Sequence, residues 1–218
     1  SVGILILFIL FGVMLTLFTS KLLSKTLLKG EPSSFTLELP PYRRPQIGKI
    51  IIRSLLDRTV FVLGRAVTAA APAGLIIWLA ANVRIGGESI LSICSGALDP
   101  FARLFGMDGV ILLAFILGFP ANEIVIPIML MGYLSSGVMT DYESLDSLKN
   151  ILLANGWTPV TAVCTLIFML CHFPCSTSLM TMKKETGSLK WTLLGEALPT
   201  AVGLILCAAV SGVSNLFI

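Results

Sequence analysis

LGFPANEIVIPIML, residues 117–130, interrupts an apolar run that extends on both sides of it, GVILLAFILGFPANEIVIPIMLMGYL (109–134). The run would read as one buried helix but for Gly118, Phe119 and Pro120. Proline lacks the N–H that a helix interior needs, and its ring clashes with the carbonyl one turn back. Two half-helices are therefore expected, with Asn122 and Glu123 just after the break. A second run, PVTAVCTLIFMLCHFPCSTSLMTM (159–182), has the same design, interrupted at CHFPCS (171–176). In both, apolar residues lead into Phe-Pro, then small polar residues, then a second apolar stretch. Freed backbone groups are tolerated in hydrocarbon only where they face protein or a wet cavity. Paired interruptions of this kind point to a transport site near the bilayer midplane. Gly118, Pro120 and Pro174 are the expected break points.

Composition says that the surrounding solvent is lipid. Of 218 residues, 56% are hydrophobic and 12% charged, with mean hydropathy +0.94. A soluble domain carries about 25% charged residues. A secreted disulfide scaffold, a soluble nucleic-acid binder and a disordered tail are all excluded, because none keeps so much apolar surface in water. Five cysteines (Cys94, Cys164, Cys171, Cys175, Cys207) occur without a CxxC pair and read as reduced thiols. The chain starts at Ser1 on an apolar run with no basic region before it, so it reads as the C-terminal part of something longer rather than as a signal peptide.

The fold class expected from these features is all-α, a polytopic transmembrane bundle with proline-broken helices. Three regions divide it. Residues 1–18 form a transmembrane helix. Residues 19–58 form a basic cytoplasmic loop, since Lys21, Lys25, Lys29, Arg43, Arg44, Lys49, Arg53 and Arg58 face only Glu31, Glu38 and Asp57. Within it PPYRRP (40–45) reads as an extended turn, and 46–58 as an amphipathic interfacial helix. Residues 59–218 form the permease region proper. It opens with a helix over 60–83, kinked at Pro72, whose Ala66, Ala70 and Gly74 make a small-residue stripe for close helix packing. Ile90 to Phe105, broken by Asp99 and Pro100, reads as re-entrant, interfacial or a poor crossing; it and 109–134 either both cross or neither does. The acidic stretch 135–158 reads as an outside loop, 183–190 with Lys183, Lys184 and Lys190 as a cytoplasmic one, and 189–210 as a last span with Glu196 and Pro199 in its first half.

A carboxylate between two apolar runs is rare unless it faces a cavity, pairs with a cation or is protonated, which singles out Glu123. Asn122 adds a neutral oxygen. Cys175 follows the second break directly, where helix N–H groups favour a thiolate, and His172 precedes it as ligand or as partner of a freed carbonyl. Carboxylate, amide, thiol and imidazole together suit a borderline divalent transition metal better than sodium or magnesium, with iron(II), manganese(II) and zinc(II) all open. A solute carrier using Glu123 and Asn122 as hydrogen-bonding groups is a second reading. An intramembrane hydrolase using Cys175 and His172 is a third, weakened because no orienting carboxylate or oxyanion motif is evident.

LGFPANEIVIPIML (117–130), PPYRRP (40–45) and FPCSTSLMTMKKETGSLKW (173–191), in that set, resemble the C-terminal membrane region of the ferrous iron transport protein B (FeoB) family, and the likeness covers nearly the whole chain. The resemblance implies a Gate-type permease repeat in a multi-pass protein of the prokaryotic inner membrane, with Fe2+ as transported substrate and no covalently bound cofactor. It places Asn122, Glu123 and Cys175 on the permeation path; His172 enters on the residue reading alone. It further implies an N-terminal GTPase domain and a first Gate repeat outside this chain, a small cytosolic accessory protein and an oligomer. No GxxxxGKS/T P-loop occurs in the 218 residues, so GTP and Mg2+ belong to that other domain and this chain is not itself expected to be an enzyme.

Overall fold

The computed structural model describes residues 2–26, 47–142 and 144–217. PPYRRP therefore lies outside the described residues. Two compact units make up the chain, Ser1–Ser54 and Leu55–Ile218. The first contains helix α1 (Val2–Thr26) and helix α2 (Ile47–Arg53). Helix α1 runs past the expected end at 18 and takes in Lys21 and Lys25. Lysine is a good helix former, and Lys25 in the last turn complements the helix dipole; a change from lipid-like to charged composition need not end a helix.

In the second unit a π-helical stretch (Ser54–Val60) precedes α3 (Phe61–Asn82), as expected for a span containing Pro72. The expected small-residue stripe is only partly on its inner face. Ile77 is buried and Ala66, Ala73, Gly74 and Ala80 are half-buried, but Ala70 is exposed, and a Cβ on Gly74 would meet no heavy atom within 4 Å. The face follows a mixed three- and four-residue spacing rather than a strict four, and close backbone approach at Gly74 is not made among the described residues. After α3 a two-residue hairpin, β1 (Arg84–Ile85) with β2 (Glu88–Ser89), turns through Gly86 and Gly87 at φ +66° and +97°. Positive φ at both turn positions demands glycine.

Helix α4 (Ile90–Arg103) is capped by the Ser89 side chain, and helix α5 (Gly109–Leu117) by Asp108, whose Oδ1 accepts from the Ile111 N–H at 2.7 Å. The expected two half-helices in 109–134 are present as α5 and α6 (Val125–Tyr133), but they do not continue in line. They fold back on each other. The Tyr133 hydroxyl donates to Asp108 Oδ2 at 2.5 Å, and Gly132 lies so close to Val110 that a Cβ would come within 2.7 Å of Val110 Cγ1. The segment is thus a helical hairpin rather than one interrupted straight helix. Each arm has nine residues, roughly 14 Å at 1.5 Å per residue, about half of a hydrocarbon core of about 30 Å. Helix α4 lies across the open end, with Leu91 near Gly132 and Ser95 and Asp99 against Gly109. Asp99 accepts from the Gly109 N–H at 3.1 Å and from Arg103 Nε at 2.6 Å.

The expected outside loop contains an amphipathic helix, α7 (Leu145–Ala154), capped by Ser144. Then α8 (Pro159–Cys171), with Thr158 as cap and proline in its first turn, leads to the second break and to α9 (Ser176–Thr186). Helix α9 continues through Lys183 and Lys184, which were expected in a loop, and stops at Gly187 in the left-handed conformation (φ +62°). Helix α10 (Leu189–Phe217) returns along both. Gly203 lets it approach Phe168 and Cys171, and Cys164 and Cys207 exchange thiol–carbonyl bonds at 3.7 and 3.2 Å. Among the described residues four stretches are long and apolar enough to cross a membrane: Val2–Thr26, Val62–Asn82, Pro159–Thr186 and Leu189–Ser214. The result is an all-α polytopic bundle.

At the hairpin's open end Trp157 Nε1 donates to the Tyr133 hydroxyl at 2.7 Å, which itself donates to Asp108. Tyr133→Phe removes both bonds and leaves a part-buried indole N–H without its acceptor. A loss of about 1–3 kcal/mol is expected, read as a lowered Tm of the purified protein in detergent. An unchanged Tm would show that the network adds nothing to stability.

Candidate functional site

The tip of the helical hairpin is built by Gly118, Phe119, Pro120 and Ala121. The Gly118 N–H still bonds Ala114 O at 2.8 Å, and the Ala121 N–H returns to Gly118 O at 3.0 Å. Gly118 is required by space. A Cβ there would lie 2.4 Å from Val125 Cγ2 and 2.9 Å from Ala114 O, so only glycine lets the first residue of α6 close onto the end of α5. A single 3-10 turn (Asn122–Ile124) then leads into α6, so Asn122 and Glu123 sit one turn before the helix rather than in it. Glu123 is exposed on this chain. Asn122 is half-buried, and its Oδ1 is shielded from solvent with no hydrogen-bond partner.

The second break is in line. Helix α8 ends at Cys171, His172 is extended (φ −70°, ψ 169°), and Cys175 is the N-cap of α9 (φ −63°, ψ 159°), with Pro174 between them. Cys175 Sγ lies 3.0 Å from Thr177 Oγ1 and 3.3 Å from Ser178 Oγ. His172 Nδ1 lies 2.9 Å from Met169 O. A carbonyl only accepts, so Nδ1 carries the proton and Nε2 presents a lone pair. That Nε2 is buried and without a partner. The imidazole stands among Phe115, Phe168 and Phe173, with centroid distances of 5.1, 6.1 and 5.4 Å.

The two breaks meet. The Ser176 N–H, first of α9, donates to Phe119 O at the hairpin tip at 2.9 Å, and Ser176 Oγ is 3.4 Å from Pro120 O. The two Phe-Pro phenylalanines, Phe119 and Phe173, pack at 5.7 Å, and Phe115 meets Phe168 edge to face at 4.8 Å beneath them. The Phe119 carbonyl, which lies past the end of α5, and the N–H orphaned at the start of α9 therefore satisfy each other. Sequence reasoning singled out the prolines but missed Phe119, Phe173 and Ser176 as the residues that join the breaks. The repeated Phe before each Pro was the available signal.

Of the expected site residues, Asn122, Gly118 and Pro120 belong to the tip, and His172, Pro174 and Cys175 to the facing break; Glu123 follows the tip with its side chain outward. Ala66, Ala70 and Gly74 lie on α3, away from these bonds. Cys164 and Cys207 are spent on each other, and Cys171 is packed against Gly203. Among the described residues no three His, Cys, Asp or Glu side chains gather as a chelating cluster. At or beside the breaks stand a thiol (Cys175), an amide oxygen (Asn122) and an imidazole nitrogen (His172).

Residues 5–57 match the family described as "Ferrous iron transport protein B C terminus". The chain is 30% identical over 226 aligned positions to the Fe(2+) transporter FeoB of Staphylococcus aureus (strain COL), covering 100% of this chain and 32% of that protein. It is 26% identical to the Fe(2+) transporter FeoB of Methanocaldococcus jannaschii over 94% of this chain and 31% of that protein. With the Fe(2+) transporter FeoB of Campylobacter jejuni the identity is 29%, over 84% of this chain and 31% of that protein. The chain thus spans about a third of the length of these relatives. No solved structure matches it.

Proposed function

Because the chain belongs to the FeoB family, as its C-terminal region, we propose that it is the permease portion of a ferrous iron uptake system of the prokaryotic inner membrane. A GTPase domain elsewhere in the full-length protein gates it. The observation that carries this reading is the bond from Ser176 N–H to Phe119 O, which brings an interrupted span and the tip of a half-depth hairpin together where unwound backbone is otherwise costly.

Fe(II) is the substrate. Glu123 supplies charge that draws a divalent cation out of water. On this chain it is exposed, and in the complete transporter it faces the permease half that precedes this region. Asn122 Oδ1 and His172 Nε2, both shielded and unpaired, offer one hard and one borderline lone pair. Cys175 is the soft ligand that separates Fe(II) from Mg(II), since magnesium gives up its oxygen shell reluctantly and gains little from sulfur. Conduction requires each contact to stay weak enough for release, in keeping with donors spread over two breaks.

The test is iron uptake by cells carrying Glu123→Gln or Cys175→Ser in the complete transporter. Each is expected to lower uptake at least about tenfold, a loss of about 1.4 kcal/mol, with normal protein levels in the membrane. Unchanged uptake in both variants would remove the assignment.

A further inference from the structure

Below the breaks, a cavity of about 520 Å³ opens along one side of α9, lined by Val62, Thr177, Ser178, Thr181, Met182 and Glu185. Its upper wall is the pair of hydroxyls that contact Cys175 Sγ, Thr177 Oγ1 at 3.0 Å and Ser178 Oγ at 3.3 Å. The α9 residues of this lining are spaced by one and four, which on a helix gives one continuous face. Down that face the groups change in order: thiol at Cys175, hydroxyls at Ser178 and Thr181, thioether at Met182, carboxylate at Glu185. Thr181 Oγ1 donates to Thr177 O at 3.0 Å. Met182 is seated over α10 at Gly195, where a Cβ would come within 2.7 Å of its sulfur. A larger residue at 195 would push the thioether into the opening.

Ser178, Thr181 and Glu185 are exposed along this face. Met180, outside the lining, is 49% exposed and shows what the other side of α9 presents. The lower end, beside Lys183 and Lys184, is the cytoplasmic end by the positive-inside rule. Six waters occupy about 180 Å³ at liquid density, so the space accepts a divalent ion with its hydration shell.

We infer that this trough is the exit route by which a hydrated divalent metal ion, released from Cys175, reaches the cytoplasm past Ser178, Thr181 and Met182, with Glu185 at the mouth. The inference rests on the transport reading and deepens it: selection occurs at the breaks, and passage below them depends on water, hydroxyls and one carboxylate.

The experiment uses the complete transporter in inside-out vesicles, with single substitutions Ser178→Cys, Thr181→Cys and Met180→Cys and the unsubstituted protein as blank. The probe is a membrane-impermeant quaternary-ammonium thiosulfonate. Thr181→Cys and Ser178→Cys are expected to label at least about tenfold faster than Met180→Cys, since hydrocarbon excludes a fixed charge, and saturating Fe(II) kept under reducing conditions is expected to slow them. Glu185→Cys at the mouth provides a second reporter should a deeper variant fail to assemble. Labelling of the trough positions no faster than Met180→Cys overturns the route, and does so even where Cys175→Ser abolishes uptake and the transport reading stands. Fast labelling that Fe(II) leaves unchanged also overturns it, by showing a wet groove that metal does not enter.

Discussion

Gly109→Ala is expected to prevent the permease region from reaching its folded state. A Cβ at this position would lie 1.9 Å from Ser95 O, 2.8 Å from Ser95 C and 2.8 Å from Asp99 N. All three are backbone atoms of α4, so no rotamer change relieves the overlap. Relief requires α4 to lift off the open end of the helical hairpin, which breaks the bond from Gly109 N–H to Asp99 and uncovers Leu91 from Gly132. Overpacking that side chains can absorb costs about 1–3 kcal/mol. A clash against main chain exceeds that range and consumes a large share of a stability of about 5–15 kcal/mol. The control is Gly96→Ala on α4, where a Cβ would meet nothing within 4 Å; it should be neutral or stabilise by about 0.5–1 kcal/mol through helix propensity. Detergent gel filtration of the two variants checks the pair. A monodisperse Gly109→Ala protein with wild-type Tm would show that α4 does not clamp the hairpin.

Ser176→Pro should abolish iron uptake while leaving the protein inserted. Local rules predict tolerance. The position is the first residue of α9, where proline is favoured, and Cys175 at ψ 159° already has the backbone that precedes proline. The substitution nonetheless deletes the N–H that bonds Phe119 O and leaves the carbonyl of this half-buried residue unpaired, at about 1–3 kcal/mol. The hairpin tip is then free to separate from the second break, where the Phe119–Phe173 contact at 5.7 Å remains. Ser176→Ala keeps the N–H and removes only the long contact from Oγ to Pro120 O, 3.4 Å, so near-normal uptake is expected. Equal uptake by both variants would mean that the backbone bond between the breaks is dispensable.

The breaks were legible because Pro120 and Pro174 each come with a preceding Phe and following small polar residues inside an apolar run; proline alone is not enough, since Pro72, Pro100 and Pro199 lie within continuous helices. What followed each break was not legible. Whether two apolar segments continue in line or fold back depends on Gly118 having Val125 against it and on Gly132 admitting Val110, contacts that no one-dimensional pattern contains. The α7 helix was hidden by its acidic neighbours, which read as an outside loop, although Ser144 as cap and Leu145, Leu148, Ile151 and Leu152 at helical spacing were in plain view. The Gly86-Gly87 hairpin had an equally readable turn. Ala70 is exposed although Ala66 and Gly74 on either side of it in the same row are half-buried, so what covers each small residue depends on the neighbours of α3 and not on spacing. That Cys175 and Asn122 lie beside the breaks could be read from the sequence, whereas the exposure of Glu123 depends on its three-dimensional surroundings and had no signature in the chain.

The join between the two breaks is made from main-chain atoms, and this bears on how such a protein can change over generations. Mutation rewrites side chains, but an amide hydrogen and a carbonyl oxygen are supplied by nineteen of the twenty amino acids alike. The side chains beside the breaks are therefore free to drift without dismantling the scaffold that presents them.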